Sequence, residues 1–423
     1  MASEELQPIT GMSDLGPPEI DLWQRLESSA RDVFRCYGFT EVRTPLLEKI
    51  AVFTRSLGDT TDVVQKEMYT LASRDGREQY ALRPEGTAGV MRYVAALGQD
   101  AQDARLYYIG PMFRGERPQK GRRRQFHQVG VEAIGAPHPA ADAEAIALQV
   151  HLLRAWGLKD FRIHLNTLGT LEDRAAVQAG LRAALAPHAE RLCEDCRRRL
   201  ETNVLRVLDC KKEACRSVVA TVPPAATFMQ PASRAYLEQV QHLLARLELP
   251  AELNPALVRG FDYYQHTVWE ISHPALGAQD AIAGGGRYRF DFGGRPVDGV
   301  GFAIGLERAV MAVLHDAPPV EPARKELAWI VSMGERAFED NLRLAQSLRQ
   351  RGIACGMDLA GRSMKAQMRA ADRARSALVV VRGDREMDQG TFMLKDMAAG
   401  TQAEVDMPAL LERLQRLAPS QSS

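Results

Sequence analysis

The chain has no surplus of charge of either sign: 54 lysines and arginines stand against 54 aspartates and glutamates. Net charge therefore cannot point to a polyanionic partner, and any nucleic-acid surface has to come from local clustering. No uninterrupted apolar run approaches the roughly 20 residues of a membrane helix, which argues against a helical membrane protein. The opening MASEELQPIT lacks a basic-then-apolar leader pattern, so a soluble, cytoplasmic protein is expected. Cysteine is scarce, six in 423 residues, too few for a disulfide scaffold. No internal repeat or low-complexity tract stands out. What is present is ordinary globular material. A hydrophobic content of 45% is enough for a sizeable core, and the length suggests two to three domains.

Four of the six cysteines fall together in LCEDCRRRLETNVLRVLDCKKEAC, as Cys193, Cys196, Cys210 and Cys215. A CxxC followed by a second pair can supply four thiolates to zinc. The second spacing is wider than usual and no histidine accompanies it, so buried reduced thiols are the preferred reading and no metal is assigned.

Residues 19–37 predict an amphipathic helix, with Leu22, Trp23, Leu26, Ala30, Val33 and Phe34 at helical spacing and Gly38 placed to stop it. A short strand, 40–44, runs into Pro45. Residues 105–135 read as a long antiparallel hairpin with the basic loop RPQKGR between its strands. A helix at 139–157 and a strand at 161–169 follow. From about 170 to 252 the sequence turns Ala-, Leu- and Arg-rich, a helical insertion after which strand-like sequence resumes at 254–272 and 280–288. VGFAIGLERAVMAVL (300–314) reads as a Gly-rich strand entering a helix. The proline-rich HDAPPVEPAR (315–324) is a linker, dividing 1–320 from 325–423. Strands and helices alternate beyond it, which predicts a small, mainly parallel α/β domain.

Chemistry-bearing residues are concentrated in four places. LVRGFDYY puts Arg259, Tyr263 and Tyr264 in an apolar setting. Read as a half-buried strand, it sends Arg259, Phe261 and Tyr263 to one face and Asp262 and Tyr264 to the other. RGERPQKGRRR (114–124) holds six cations and one carboxylate, with Phe126 following. Guanidinium forks match phosphate oxygens, and an aromatic face beside them suits a purine ring. LRPEGTAG (82–89) offers Glu85, Gly86 and Thr87, while Gln128, Glu132, Phe126 and Gly130 share one face of the second hairpin strand by even spacing. GVGFAIGLER ends in Arg308 at a helix start, without the lysine or spacing of a P-loop. Each feature taken singly also reads as ordinary surface polarity or packing; together they favour a nucleotide site.

In order along the chain, these segments resemble the signature motifs of class II aminoacyl-tRNA synthetases, and in detail those of histidyl-tRNA synthetases. The helix, strand and proline near 19–45 resemble motif 1, the dimer-forming element. FRGERPQKGRRRQFHQVGVE resembles motif 2 and VGFAIGLER motif 3. LVRGFDYY and AGGGRY (283–288) resemble two histidine-specific boxes. One departure stands out: Arg289 follows the second box where aspartate is usual, and the connection to motif 3 is shorter.

The resemblance implies an α+β catalytic domain with an antiparallel sheet flanked by helices, the helical insertion, and a C-terminal α/β anticodon-binding domain. It implies a cytoplasmic homodimer that activates L-histidine with ATP and Mg2+ and transfers it to tRNA(His). In the implied site Arg114 and Arg259 flank the α-phosphate as catalytic groups. Arg122 and Arg308 hold the γ-phosphate, Phe126 stacks adenine and Glu116 helps to read it. Glu85, Thr87 and Gln128 accept from the histidine ammonium, Glu132 and Tyr264 meet its imidazole, and Tyr263 and Tyr288 wall the pocket. Arg349, Arg351, Arg362, Lys365 and Arg369 are candidate anticodon contacts. The rival implication is a histidine-binding regulatory subunit of ATP phosphoribosyltransferase without aminoacylation activity.

Overall fold

The first helix, Glu19–Cys36, buries Trp23, Leu26, Ala30, Val33 and Phe34 along one stripe and carries Glu19 and Asp21 in its first turn and Arg35 in its last. Those charges complement the helix dipole at each end. Gly38, at φ +74°, lets the chain leave in the left-handed region. This geometry comes from a computed structural model, which describes residues 6–58, 61–101, 103–277, 280–291, 296–317 and 325–416. The chain divides into two compact units, Met1–Pro318 and Pro319–Ser423.

In the first unit the strands in chain order are Thr40–Glu41 (β1), Leu47–Lys49 (β2), Thr70–Ala72 (β3), Gln79–Leu82 (β4), Arg105–Phe113 (β5) and Gln125–Ile134 (β6). Arg162–Thr167 (β7), Ala251–Leu253 (β8), Tyr264–Ser272 (β9), Ala281–Asp291 (β10) and Pro296–Gly305 (β11) complete it. Eight of them form one sheet in the order β1-β5-β6-β11-β10-β9-β7-β8, while β2, β4 and β3 form a small separate sheet. Only the outermost pairings, β1 with β5 and β7 with β8, are parallel. The strand at 40–44 is shorter than its sequence suggests, ending at Glu41.

One face of the large sheet is closed by helices Glu19–Cys36, Pro139–Ala155, Pro231–Arg246 and Leu306–Asp316, around Trp23, Phe34, Ile146, Leu152, Trp269 and Phe302. Trp269 Nε1 donates to buried Gln149 Oε1 at 2.7 Å, so this core carries a satisfied polar pair. Arg287, projecting from the sheet, donates to Asp142 Oδ2 at 2.6 Å with both side chains almost fully buried. The opposite face is only partly covered, by Ile50–Leu57 and Thr87–Leu97. Between β7 and β8 the chain makes a helical excursion with its own small core, including Val177, Leu181, Leu200 and Val207.

The second unit holds Lys325–Met333 (β12), Cys355–Met357 (β13), Ser376–Gly383 (β14), Phe392–Asp396 (β15) and Gln402–Val405 (β16), in the order β13-β12-β14-β15-β16. Its sheet is mixed rather than mainly parallel: β12 pairs in parallel with β13 and β14, whereas β15 runs antiparallel to β14 and β16. The connection 397–401 is too short to carry a crossover helix, so β15 and β16 can only form a hairpin. Two of the candidate anticodon cations are already engaged within this unit. Arg349 donates to the Cys355 carbonyl at 3.1 Å, and Arg362 pairs with Asp358.

Candidate active site

The partly covered face of the sheet owes its shape to strand register. Val129, Val131 and Ala133 of β6 point into the helix-covered core, so Phe126, Gln128, Gly130 and Glu132 face the other way. Glu132 lies opposite Gly301, which lies opposite Gly286. Gly130 lies opposite Ala303, then Gly284, then Glu270. These small residues leave a trough across the middle of the sheet. A Cβ on Gly284 would fall 2.5 Å from Arg259 Nη1, and one on Gly286 would fall 2.6 Å from the Tyr264 ring. Both side chains lie where only glycine gives them room.

A cavity of about 350 Å³ occupies the trough. It is lined by Glu85, Thr87, Arg114, Glu116, Arg122, Phe126, Gln128, Arg259, Tyr263, Tyr264, Tyr288 and Arg308. Of the histidine- and ATP-site candidates named from sequence, Gly86 and Glu132 are missing from that lining. Gly86 leads into helix Thr87–Leu97, packed against the Tyr108 ring. Glu132 sits directly behind the wall, 1% exposed. A larger groove of about 1060 Å³ runs past Val94, Glu172, His266, Arg289 and Asp298. It gathers none of these residues, so size alone does not locate the chemistry.

The inner end of the cavity is a network of hydroxyls and carboxylates. Glu132 accepts from Tyr288 Oη at 2.5 Å and from Thr87 Oγ1 at 2.7 Å. Burial pushes its pKa up to about 8, while the two hydroxyls pull the other way. Glu85 accepts the backbone N–H groups of Thr87 and Ala88, each at 2.7 Å, and so caps the helix that begins there. Burial raises its pKa as well. Gln128 Oε1 is buried with no hydrogen-bond partner. Such an acceptor is a place for a ligand donor. Tyr263 packs between Tyr264, at 4.5 Å, and Phe290, at 4.7 Å.

Cations line the outer part. Arg259 Nη1 donates to Glu270 Oε2 at 3.0 Å, its Nε is buried without a partner, and its guanidinium lies 5.9 Å from the Tyr264 ring centre. Burial works against its charge, but Tyr264 and Glu270 outweigh that and raise its pKa. Arg114 donates from Nε to the Pro84 carbonyl at 2.8 Å and lies over the rings of Phe126 and Phe261, at 5.2 and 5.7 Å. One carboxylate, Glu116, is shared by Arg122 at 3.0 Å and Arg114 at 3.7 Å. Arg308 donates to the Gly121 carbonyl at 3.0 Å; burial and the charge of Arg122 push its pKa down. Arg114, Arg122, Arg259 and Arg308 all present guanidinium groups to this one cavity, and such forks match phosphate oxygens.

Two expectations change. Arg259 to Tyr263 do not lie in a strand; β9 begins at Tyr264, and the preceding residues turn across its end. Face alternation therefore does not apply, and Arg259, Tyr263 and Tyr264 converge on one cavity. Two residues were also missed. Glu270 anchors Arg259, and its even spacing from Tyr264 along β9 was a usable signal. Glu307 accepts the backbone N–H of His127 at 3.0 Å, tying β6 to the helix that presents Arg308. The segment around 292–295, where the second box departs from its usual continuation, lies outside the described residues. Arg289 itself is half exposed and lies 3.6 Å from Asp298, away from the cavity.

Comparison with known proteins agrees with this geometry. The family described as Histidyl-tRNA synthetase matches residues 11–309, and the family described as Anticodon binding domain matches residues 328–417. A protein named Histidine--tRNA ligase from Halothermothrix orenii is 42% identical, over 96% of this chain and 98% of its own. Another of that name from Geobacillus thermodenitrificans is 43% identical with the same coverage of both. The crystal structure of apo S. aureus histidyl-tRNA synthetase superposes with a TM-score of 0.80 at 32% identity, covering 97% of this chain and all of that one. The chain therefore belongs to the histidyl-tRNA synthetase family, with an anticodon-binding domain following its catalytic domain.

Proposed function

We propose that the chain is a histidine–tRNA ligase. It activates L-histidine with ATP, forming histidyl-adenylate and pyrophosphate, and transfers the histidine to the 3′ end of its tRNA. The observation that carries this reading is the meeting in one cavity of a guanidinium set suited to phosphates and a buried acceptor set suited to an amino acid with a polar ring. Relatives of the same name match almost the whole chain.

In the first step a histidine carboxylate oxygen bonds to the α-phosphorus as the bond to pyrophosphate breaks. In the second, a hydroxyl of the terminal tRNA adenosine takes the acyl group and AMP leaves. Neither step needs the enzyme to supply a covalent nucleophile; both need alignment and neutralisation of negative charge. Arg114 and Arg259 are assigned to the reacting phosphate from two sides. Glu270, hydrogen-bonded to Arg259, positions that guanidinium. Arg308 and Arg122 are assigned to the terminal phosphate, and Phe126 and Glu116 to the adenine. Magnesium would come in with ATP and would offset part of the phosphate charge beside Arg114, Arg122, Arg259 and Arg308.

At the other end, the open acceptor of Gln128, together with Glu85 and Thr87, takes the ammonium group. Glu132, Tyr264 and Tyr288 take the imidazole, and Tyr263 closes the wall. A site whose buried polar groups are satisfied only by a ring with two nitrogens rejects apolar analogues, which leave those groups unpaired. The proposed division is a catalytic core over 1–320, with an insertion near 170–252, and an anticodon-binding domain over 325–423, in a cytoplasmic homodimer. Among the described residues no helix is long and apolar enough to cross a membrane.

The regulatory-subunit reading is less supported, because the chain matches proteins named as ligases and carries the anticodon-binding domain. The test is charging of total tRNA with each of the twenty amino acids, alongside histidine-dependent exchange of labelled pyrophosphate into ATP. Charging is expected with histidine alone. Absence of both signals in a folded chain overturns the proposal.

A further inference from the structure

The helical excursion between β7 and β8 contains the four clustered cysteines, and the fold brings their sulfurs together. The Sγ atoms of Cys193, Cys196, Cys210 and Cys215 all lie within 4.8 Å of one another. Cys196, Cys210 and Cys215 are buried and Cys193 is half-buried. We infer that these four side chains form a tetrahedral thiolate site for one zinc ion, a structural metal centre in the insertion.

Three observations support this. A zinc ion bound by four thiolates sits about 2.3 Å from each, which spaces the sulfurs about 3.8 Å apart. The observed cluster closes onto that geometry with shifts of ~1 Å or less. An iron–sulfur cluster interposes irons and sulfides and holds its cysteines further apart. Second, the site has a polar arrangement as well as proximity: the Cys193 backbone N–H donates to Cys215 Sγ at 3.2 Å. Cys193 also sits at the start of helix Glu194–Thr202, with Cys196 in its first turn, where thiolate charge is favoured.

Third, the insertion has only a small core of its own to hold its shape, and the cysteines are part of it. The helices around the cysteines, Glu194–Thr202, Leu205–Leu208 and Glu213–Val219, have nine, four and seven residues. Helices this short are marginal alone, and small cores of this kind are commonly stapled by a metal. Spacing along the chain favours reduced thiols, but three short helices fold the two cysteine pairs onto each other.

The centre also lies beside the site. Arg206, between the two cysteine pairs, donates to the Gly260 carbonyl at 2.7 Å, one residue from Arg259. Asp209, next to Cys210, lines the cavity. Zinc thus fixes the scaffold against which the Arg259 segment rests.

The experiment uses the full chain purified under reducing conditions without chelator. The expected results are about one zinc per chain and, after replacement by Co(II), thiolate-to-cobalt absorption with the visible bands of a tetrahedral site. Cys196→Ser is expected to lose both signals. Should that variant fail to fold, the unmutated chain is titrated with a mercurial, and zinc release is expected to track reaction of four thiols. A chain that takes up neither Zn(II) nor Co(II), or whose mass shows two disulfides, overturns the inference. The catalytic consequence rests on the proposed function: zinc removal should slow pyrophosphate exchange by about tenfold through displacement of Arg259. Metal content is read without reference to catalysis, so the two conclusions fail separately.

Discussion

The Tyr288 hydroxyl donates to Glu132 across 2.5 Å, joining the strand of the second histidine-like box to the second strand of the long hairpin. Both side chains are at most 1% exposed, and Gly299 and Gly301 leave room for them on the intervening strand. The carboxylate proposed to read the imidazole is thus fixed in place before any ligand arrives.

Removing that donor should affect histidine more than ATP. Tyr288→Phe is expected to raise the KM for histidine about tenfold, the effect of losing one buried hydrogen bond that holds Glu132 in place. The KM for ATP should hardly change. Steady-state pyrophosphate exchange with each substrate varied in turn measures this; equal rises in both constants would count against the assignment.

Glu132 also sets a pH dependence of stability. Its pKa in the fold, about 8, lies above its ordinary value near 4.5, so the folded chain keeps a proton that the unfolded chain releases between those limits. The stability gained is fully present below about pH 4.5 and is lost as pH rises through 8. The ligand-free protein should therefore lose Tm between pH 5 and 8 relative to Glu132→Gln. A difference in Tm that stays flat over that range would refute the linkage.

Gly284 tests the position of Arg259 without touching it. In Gly284→Ala the new methyl falls on the guanidinium, the mobile end of a long side chain. The fold should persist, with Tm within a few degrees, while histidine-dependent pyrophosphate exchange falls by about tenfold or more. Full activity in the variant would show that the placement of Arg259 is not critical.

The Asp142–Arg287 pair predicts a different outcome. Asp142 is fully buried, and Arg287 reaches it from the sheet while also donating to the Ala136 carbonyl at 2.7 Å. Asp142→Ala strands a buried guanidinium and is expected to cost about 3–5 kcal/mol. Urea unfolding followed by circular dichroism measures it; a cost under about 1 kcal/mol would mean water reaches the freed group.

How far the sequence could be read depended on what held each residue in place. The hairpin strand was legible because period-two alternation is local: Gln128 and Glu132 share a face by spacing alone, and they do so in the fold. The Arg259 segment was misread as a strand because apolar and aromatic residues suit a strand and a packed turn alike. The mixed C-terminal sheet was misjudged because β16, only four residues long, gave too little pattern to register.

Residue types and their order along the chain were enough to indicate the family, the chemistry of the phosphate-binding arginines and the faces of the long strands. Those properties follow from local periodicity and from side-chain functional groups. Pairing between distant segments was decided only by the folded chain: Glu270 with Arg259, Tyr288 with Glu132, and four sulfurs drawn into one cluster. Sheet register and helix packing set those distances, and spacing along the chain does not.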